Sequence, residues 1–149
     1  FDFFAFKETS TDQIHFALTK GNWTVNEPVL VRVQASNSYF DVLSRLTTGE
    51  TPLLEKVTKM INDEGKGALI FINNVSNSEN TMRKLQQFLD FQDGQEQRPT
   101  LASNFHDYGI GTQILKNLGI NNFRVITQNV NQKPLVGGYD VEVTEMVQL

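Results

Sequence analysis

Hydrophobic residues recur along the chain either with the two-residue period of β-strands or with the 3.6-residue period of α-helices. The points at which one period gives way to the other predict where strands and helices begin and end. Alternating or continuous short apolar runs, which are typical of β-strands, occur at residues 2–7, 14–19, 28–34, 67–73, 123–127 and 139–147. The first two runs are joined by the polar, turn-forming stretch 8–12, which predicts a β-hairpin. Pro28 suits the edge of the third strand because it lacks the N–H that a strand interior needs.

Three other stretches have helical spacing and lie between the predicted strands. The first covers 50–65 and has Gly65 as its stop, and the second covers 77–92. The third begins at an Asp107 cap and stops at Gly119. The inward apolar positions are Leu53, Leu54, Val57, Met60 and Ile61 in the first helix, Met82, Leu85, Phe88 and Leu89 in the second, and Ile110, Ile114, Leu115 and Leu118 in the third. Strands that alternate with helices after an opening hairpin predict an α/β fold, a mixed β-sheet with flanking helices.

The composition narrows the classes of function. The chain has 149 residues, which suits a single domain over 1–149, and its net charge of −4 favours neither nucleic acid nor an anionic membrane surface. It has no cysteine, which excludes disulfides, thiolate metal sites and thiol catalysis and fits a reducing cytoplasm. No apolar run approaches the roughly 18 residues of a membrane span, and no export leader is evident. Because the chain begins with Phe1 rather than Met, we expect it to be a piece of a longer protein.

The stretch DYGIG at 107–111 is the first candidate site. Glycines at the start of a helix let a backbone approach a phosphate, where free amides and the helix dipole favour anions. The simpler interpretation is that Asp107 caps the helix while Gly109 and Gly111 permit close packing. A lone Gly-x-Gly is a weak signal and the full dinucleotide fingerprint is absent, so the residues favour the helix start.

The two histidines offer little chemistry on their own. His106 lies beside Asp107 in a predicted loop, where an acid–base role is one interpretation, although sequence neighbours rarely point the same way. His15 alternates with apolar residues and is predicted to be structural or on the surface. No spacing of histidines and carboxylates is typical of a metal site, so we predict no metal.

The loop after the fifth strand is the last candidate. Thr127 ends that strand and Asn129 and Lys133 come after it, and open α/β sheets bind ligands at the carboxyl ends of strands. Such loops are also rich in Asn and Gly for turn chemistry alone. These residues leave both interpretations open.

Several segments in a fixed order carry a family resemblance. They are IHFALTKGNW and EPVLVRV, then INDEGKGALIFI, HDYGIGTQILKNLGINNFRVITQN and the final GGYDVEVTEMVQL. This order resembles GTP cyclohydrolase II, whose members have a VLVRVHSE strand, a D-[YF]-G-I-G-x-Q-I-L helix and a G-Y-x-[VL]-E-V-x-E ending. The resemblance covers nearly the whole chain and implies a GTP cyclohydrolase II-like fold and a homodimer.

The same resemblance locates a lost metal site. The family holds a catalytic zinc with three cysteines, and the matching positions here fall near Asn37, Thr47 and Thr48. Gln34 replaces the family's usual histidine. Amide and hydroxyl groups are poor substitutes for thiolates on zinc, so the resemblance implies no zinc and no zinc-activated water.

The positions that handle phosphate in the family also differ here. The family's E-G-R-G-I-G-L loop corresponds to NNVSNSENTM, which lacks its glycines and its arginine. His106 stands where the family has an arginine implicated as the nucleophile, and Asn104 replaces an acidic residue. Lys133 falls near a phosphate-contacting lysine. We therefore predict no catalytic residue and a vestigial pocket made of Asn104, His106, Asp107, Tyr108, Thr127 and Lys133.

A fusion common in this family suggests the role of such a domain. In many bacteria the cyclohydrolase domain follows dihydroxybutanone phosphate synthase, which converts ribulose 5-phosphate to dihydroxybutanone phosphate and formate. The resemblance thus implies a non-catalytic accessory domain, without a cofactor, that dimerises, stabilises or regulates an N-terminal synthase domain in cis. Magnesium is expected in that synthase domain, and the cytoplasm is the expected location. Two alternatives remain: a sensor of GTP, flavin or a pathway phosphate, and a repurposed phosphate-chemistry enzyme that uses His106.

Overall fold

A computed structural model of the chain describes residues 1–36, 53–73, 105–130 and 140–149. The strands are β1 (Asp2–Lys7), β2 (Ile14–Lys20), β3 (Val29–Ser36), β4 (Gly67–Asn73), β5 (Asn122–Thr127) and β6 (Glu142–Gln148), and the described helices are α1 (Leu53–Glu64) and α2 (Phe105–Asn117). All the predicted strands are confirmed, with bounds that shift by a few residues. The helix predicted at 77–92 and the loop predicted at 93–100 lie outside the described residues. Neither described helix is long and apolar enough to cross a membrane.

The strands form one mixed sheet in the order β1-β2-β4-β3-β5-β6. β4, β3, β5 and β6 run parallel to one another, whereas β2 is antiparallel to both β1 and β4. The predicted α/β class, mixed sheet and opening hairpin are therefore confirmed. The four parallel strands all end at one edge of the sheet, which we call the C-terminal edge, and begin at the opposite edge, which we call the N-terminal edge.

Alternation along β3 divides the core between the two faces of the sheet. Val29 and Val31 are fully buried and cluster with Ile114 of α2, so we call this side the α2 face. Leu30 points the other way and clusters with Val57 of α1, on what we call the α1 face. A strand buried on both faces explains why 67–73 is a continuous apolar run rather than an alternating one.

Helix α1 matches its predicted stripe except at one position. Val57 and Ile61, four residues apart, are buried, and Gly65 ends the helix with a φ of +81°. Leu54, which was predicted to point inward, is 46% exposed. It lies in the first turn, away from the buried contacts that the middle of α1 makes, and it belongs to neither core cluster.

Helix α2 begins earlier than predicted and ends as predicted. Its first residue is Phe105, so Asp107 already has helical backbone and is not the N-cap, because a cap residue lies outside the helix. At the other end Gly119 has a φ of +71°, and its N–H donates to Lys116 O at 3.0 Å. The next N–H donates to Leu115 O at 2.9 Å, which completes a Schellman motif.

Candidate functional site

The first turn of α2 lies at the C-terminal edge of the sheet. The end of α2 leads through a short turn into the start of β5, so this 13-residue helix, about 20 Å long, runs back from the C-terminal edge. Contacts near its start agree with this direction. A Cβ added to Gly111 would lie 3.4 Å from Ile72 Cδ1 and 3.5 Å from Val33 Cγ1, late in β4 and β3. The residues that precede Gly111 therefore extend toward the ends of the parallel strands.

Three of the six residues predicted for the vestigial pocket, His106, Asp107 and Tyr108, lie in the first turn of α2, where the structure describes the backbone. Thr127 lies at the end of β5. Asn104 and Lys133 lie outside the described residues. Thr127 alternates along β5 with buried Phe123 of the α2 cluster, which assigns Thr127 to the α2 face. A helix start and a strand end thus share one face at one edge of the sheet. This is the position at which open α/β sheets bind ligands.

The Thr127 hydroxyl has a local structural task. It accepts a hydrogen bond from the Asn129 N–H at 3.1 Å and lies 3.3 Å from Asn129 O, to which it donates. Such bonds between a hydroxyl and the backbone two residues on stabilise turns. Thr127 therefore holds the turn that leaves β5.

The two glycines at the start of α2 have different surroundings. Gly111 is buried, and a Cβ there would make ordinary van der Waals contacts with β3 and β4. At Gly109 a Cβ would meet nothing within 4 Å among the described residues. Close packing against the sheet is therefore found at Gly111, and packing at Gly109 stays a prediction.

An arginine that the sequence pattern did not single out lies at the same edge on the α1 face. Arg32 Nη1 donates to Ile126 O at 2.9 Å, and Nη2 donates to Gln34 Oε1 at 3.1 Å. Its Nε is buried without a hydrogen-bond partner, and no carboxylate in the described ranges pairs with the guanidinium. Burial lowers the pKa of Arg32 because the charged form loses its hydration. The sequence did contain a signal for Arg32. It lies two residues after Leu30 on the same predicted strand, so the alternation places a charged side chain on the same buried face of β3 as Leu30.

His15 is also at the C-terminal edge, because β2 runs antiparallel to β4. His15 is 1% exposed, and its Nδ1 accepts a hydrogen bond from the Asn73 N–H at 3.1 Å. Nε2 lies 3.6 Å from Glu8 Oε2, too far for a hydrogen bond. The structural alternative predicted for His15 is therefore confirmed, and the surface alternative is wrong.

The donor groups of this chain do not suit the catalytic zinc that members of the resembled family hold. The chain has no cysteine, and within the described ranges no three His, Cys, Asp or Glu side chains are grouped to hold a metal. Gln34 presents an amide oxygen that already accepts from Arg32, and a buried guanidinium beside it disfavours a second cation. The positions near Asn37, Thr47 and Thr48 lie outside the described residues. A thiolate-bound zinc therefore does not fit this chain.

Comparisons with known proteins find matches that cover nearly the whole chain. The family model described as GTP cyclohydrolase II matches residues 1–148. A riboflavin biosynthesis protein RibBA from Cytophaga hutchinsonii is 35% identical over 157 aligned positions, which cover 100% of this chain and 38% of the relative. Proteins with the same name from Bacillus mycoides and Porphyromonas gingivalis are 34% and 31% identical, covering 91% and 97% of this chain and 35% and 37% of their own lengths. The chain thus spans well under half the length of these relatives.

Proposed function

Since the chain belongs to the GTP cyclohydrolase II family, we propose that it is a non-catalytic accessory domain of that type in riboflavin biosynthesis. The pathway is taken from the names of its relatives. The observation that carries the non-catalytic part is the absence of any cysteine, whereas the family, by the resemblance described above, holds its catalytic zinc with three of them. Without that zinc the chain has no metal-bound water to attack the purine ring of GTP.

The geometry at the C-terminal edge supports the same proposal. Gln34, where the resemblance places a histidine, is hydrogen-bonded to Arg32 and has no proton to exchange with a substrate near neutral pH. Thr127 is engaged with Asn129. By contrast, the scaffold is regularly built, with a parallel β3–β4 register and a Schellman end to α2. A regular scaffold without the chemistry that the resemblance assigns to the family supports an accessory role.

The partner we propose is a dihydroxybutanone phosphate synthase domain in the same polypeptide. The Cytophaga relative has well over half of its length outside the region that matches this chain, which leaves room for a second domain. In this proposal the synthase domain binds magnesium and performs the reaction in the cytoplasm. The accessory domain binds no cofactor, forms a homodimer, and thereby stabilises or regulates the synthase.

The first test is an assay for cyclohydrolase activity. The purified protein is incubated with GTP, magnesium and added zinc, while the ultraviolet spectrum and pyrophosphate release are followed. A family member that has all three cysteines is assayed in parallel as the control. We expect no ring opening, no pyrophosphate and no bound zinc by elemental analysis. Turnover together with about one zinc per chain would contradict the proposal, because another ligand set would then hold the metal.

One observation favours ligand sensing as a second candidate function. Arg32 keeps a buried Nε without a partner at the edge where α/β sheets bind ligands. Such a cation is suited to an anionic ligand such as a phosphate. The test is calorimetric titration with GTP, a flavin mononucleotide and inorganic phosphate, with Arg32→Met as the matched variant. Heat with the native protein and none with Arg32→Met supports sensing, whereas flat titrations with all three ligands remove it.

A further inference from the structure

The two outermost strands of the sheet, β1 and β6, differ in what they expose. A bulge interrupts the pairing of β6 with β5 between Phe123 and Arg124. The exposed positions of β6 are all polar, namely Glu142, Thr144, Glu145 and Gln148. Bulges and charged side chains keep an outermost strand from pairing with another chain. β1 instead pairs with β2 in unbroken register and exposes Phe3, Phe4 and Ala5 in its middle, so it lacks the protection that β6 has.

The outer side of β1 presents backbone groups that can accept a further strand. The Glu8 N–H donates to Gln13 O at 2.8 Å, and these two residues are directly opposed by extension of the β1–β2 register. Because the backbone groups of an antiparallel pair point toward and away from the partner in alternation, Phe6 and Phe4 direct theirs toward β2. The residues that direct their N–H and C=O groups away from the sheet are Phe3, Ala5 and Lys7. In the described part of the chain, β1 has β2 as its one neighbouring strand.

Aromatic side chains are exposed on both faces of β1. Phe3 lies opposite Leu18 on the α1 face and is 64% exposed, and Phe4 lies opposite Ala17 on the α2 face and is 42% exposed. The Phe3 ring also stacks on Phe16, with 5.7 Å between the ring centroids, so it is already held in position. A helix or loop would cover one face of the strand. A further strand beside β1 packs its own side chains against both faces.

We propose that β1 is a dimer interface, at which two copies of this chain pair their β1 strands antiparallel about a two-fold axis through Phe4. The axis is perpendicular to the sheet, so each face of one copy continues into the same face of the other. Phe4 then lies opposite its own copy, and Phe3 lies opposite Ala5 with their outward backbone groups bonded. The two sheets become one continuous sheet. The proposal rests on the proposed function for its homodimer and assigns that homodimer a surface.

The charges on the strand favour a second copy as the occupant and Phe4 as the centre. In this register Asp2 of each copy lies one position along the strand from Lys7 of the other, so opposite charges are neighbours at both ends. A register centred on Ala5 would place Asp2 directly opposite the second copy's Glu8, and directly opposed like charges are destabilising. The strand is therefore complementary in charge to itself when it is centred on Phe4.

Disulfide cross-linking tests the two-fold contact directly, because the chain has no cysteine of its own. Phe4 opposes itself in a non-hydrogen-bonded pair, whose Cα atoms are about 4.5 Å apart, a separation that a disulfide spans. We expect mild oxidation to convert most of the Phe4→Cys variant into a covalent dimer. The matched control is Lys7→Cys, whose two copies would be about 20 Å apart and should remain unlinked. No cross-link in Phe4→Cys, or equal cross-linking of both variants, would overturn the interface.

Sedimentation equilibrium of the native protein tests the same surface without a new bond. We expect a concentration-dependent dimer, and we expect Phe4→Lys, which opposes two like charges at the axis, to raise its Kd about tenfold or more. Leu54→Lys is the control, because Leu54 is 46% exposed on α1 and should leave the Kd unchanged. Circular dichroism checks that both variants fold.

The outcomes separate this interface from the proposed function. A dimer whose Kd is the same in Phe4→Lys would overturn the β1 interface and leave the homodimer standing. A native protein that stays monomeric at every concentration would overturn both, and the exposed side of β1 would then suit a different chain. The cyclohydrolase assay tests the non-catalytic part independently of either result.

Discussion

Among the described residues, the two edges of the parallel sheet differ in how their polar groups are paired. At the N-terminal edge, long-range pairs join Lys66 to Glu27, Arg124 to Glu64 and Glu145, Lys20 to Asn62, and the Trp23 indole N–H to Leu118 O. At the C-terminal edge lie both buried side-chain nitrogens that lack a hydrogen-bond partner in the described residues, Arg32 Nε and His15 Nε2. Buried unpaired groups are rare in folded proteins and concentrate at sites shaped by function. Among the described residues, the N-terminal edge therefore carries the ion pairs that join elements, and the C-terminal edge carries the two unpaired buried nitrogens, one of which is the basis for the proposed ligand sensing.

The glycines show the same difference between the edges. At the N-terminal edge a Cβ on Gly21 would lie 2.6 Å from Gly65 O, and one on Gly67 would lie 2.7 Å from Leu30 O. At the C-terminal edge a Cβ on Gly109 would meet nothing within 4 Å among the described residues, and one on Gly111 would make contacts of ordinary length. Close approach of backbone therefore demands glycine at Gly21 and Gly67, but not at Gly109 or Gly111.

The largest effect is expected from Gly21→Ala at the N-terminal edge. The substitution meets backbone at Gly65 and also requires an alanine at a φ of +74°. The two costs together predict a loss of roughly 2–4 kcal/mol in the free energy of unfolding. Urea denaturation followed by circular dichroism measures it. Gly65→Ala is the control, because its φ is +81° but its Cβ would meet nothing within 4 Å, so about 1 kcal/mol is expected. If Gly21→Ala and Gly65→Ala lost the same free energy of unfolding, the close contact between Gly21 and Gly65 O at the N-terminal edge would be contradicted.

The ion pairs of the N-terminal edge predict the next effect. Arg124 Nε donates to Glu145 at 2.6 Å and Nη1 to Glu64 at 2.7 Å, and the hydrogen bond to Glu145 is the main cause of its raised pKa. Arg124→Met leaves two carboxylates without their shared partner and should cost about 1 kcal/mol. The control is Lys59→Met, which breaks an exposed pair with Asp63 within α1 and should cost about 0.3 kcal/mol. The free energy of unfolding lost in Arg124→Met should be smaller in high salt, because salt screens the attraction between the charges.

A structural feature can be predicted from the sequence when it depends on residues that are close together in the chain, and not when it depends on residues that are far apart. Strand alternation and the glycine stops at Gly65 and Gly119 are local, and the structure confirms them. The hydrogen bonds of Arg32 to Ile126 and of His15 to Asn73 join residues 94 and 58 positions apart, and no local period reports them. The start of α2 was misplaced for another reason. Asp107 has the chemistry of a cap, yet helical backbone begins at Phe105, because local preference yields to the wider packing of the helix.

At the C-terminal edge, Gly109→Ala should stabilise the protein. Gly109 lies inside α2, where alanine reduces the freedom of the unfolded chain, and no atom of the described residues opposes a Cβ. The expected gain is about 0.5–1 kcal/mol in the free energy of unfolding, measured by urea denaturation. Titration with inorganic phosphate is run on the same variant. A gain in stability with unchanged phosphate binding supports a helix start, whereas lost binding would mean that a ligand approaches the backbone at Gly109.

The smallest effect should come from Glu27 at the N-terminal edge, and it should depend on pH. The Lys66 ammonium, and then the Thr24 N–H, hold the pKa of Glu27 below its ordinary value in the folded state. A carboxylate with a lowered folded pKa contributes stability above its unfolded pKa and loses it as pH falls through the folded one. Glu27→Gln should therefore lower the urea midpoint slightly at pH 7, and this deficit should shrink as the pH is lowered to 3. A deficit of the same size at both values would mean that Glu27 acts through packing rather than charge, and the ionic account of this edge would then rest on Arg124.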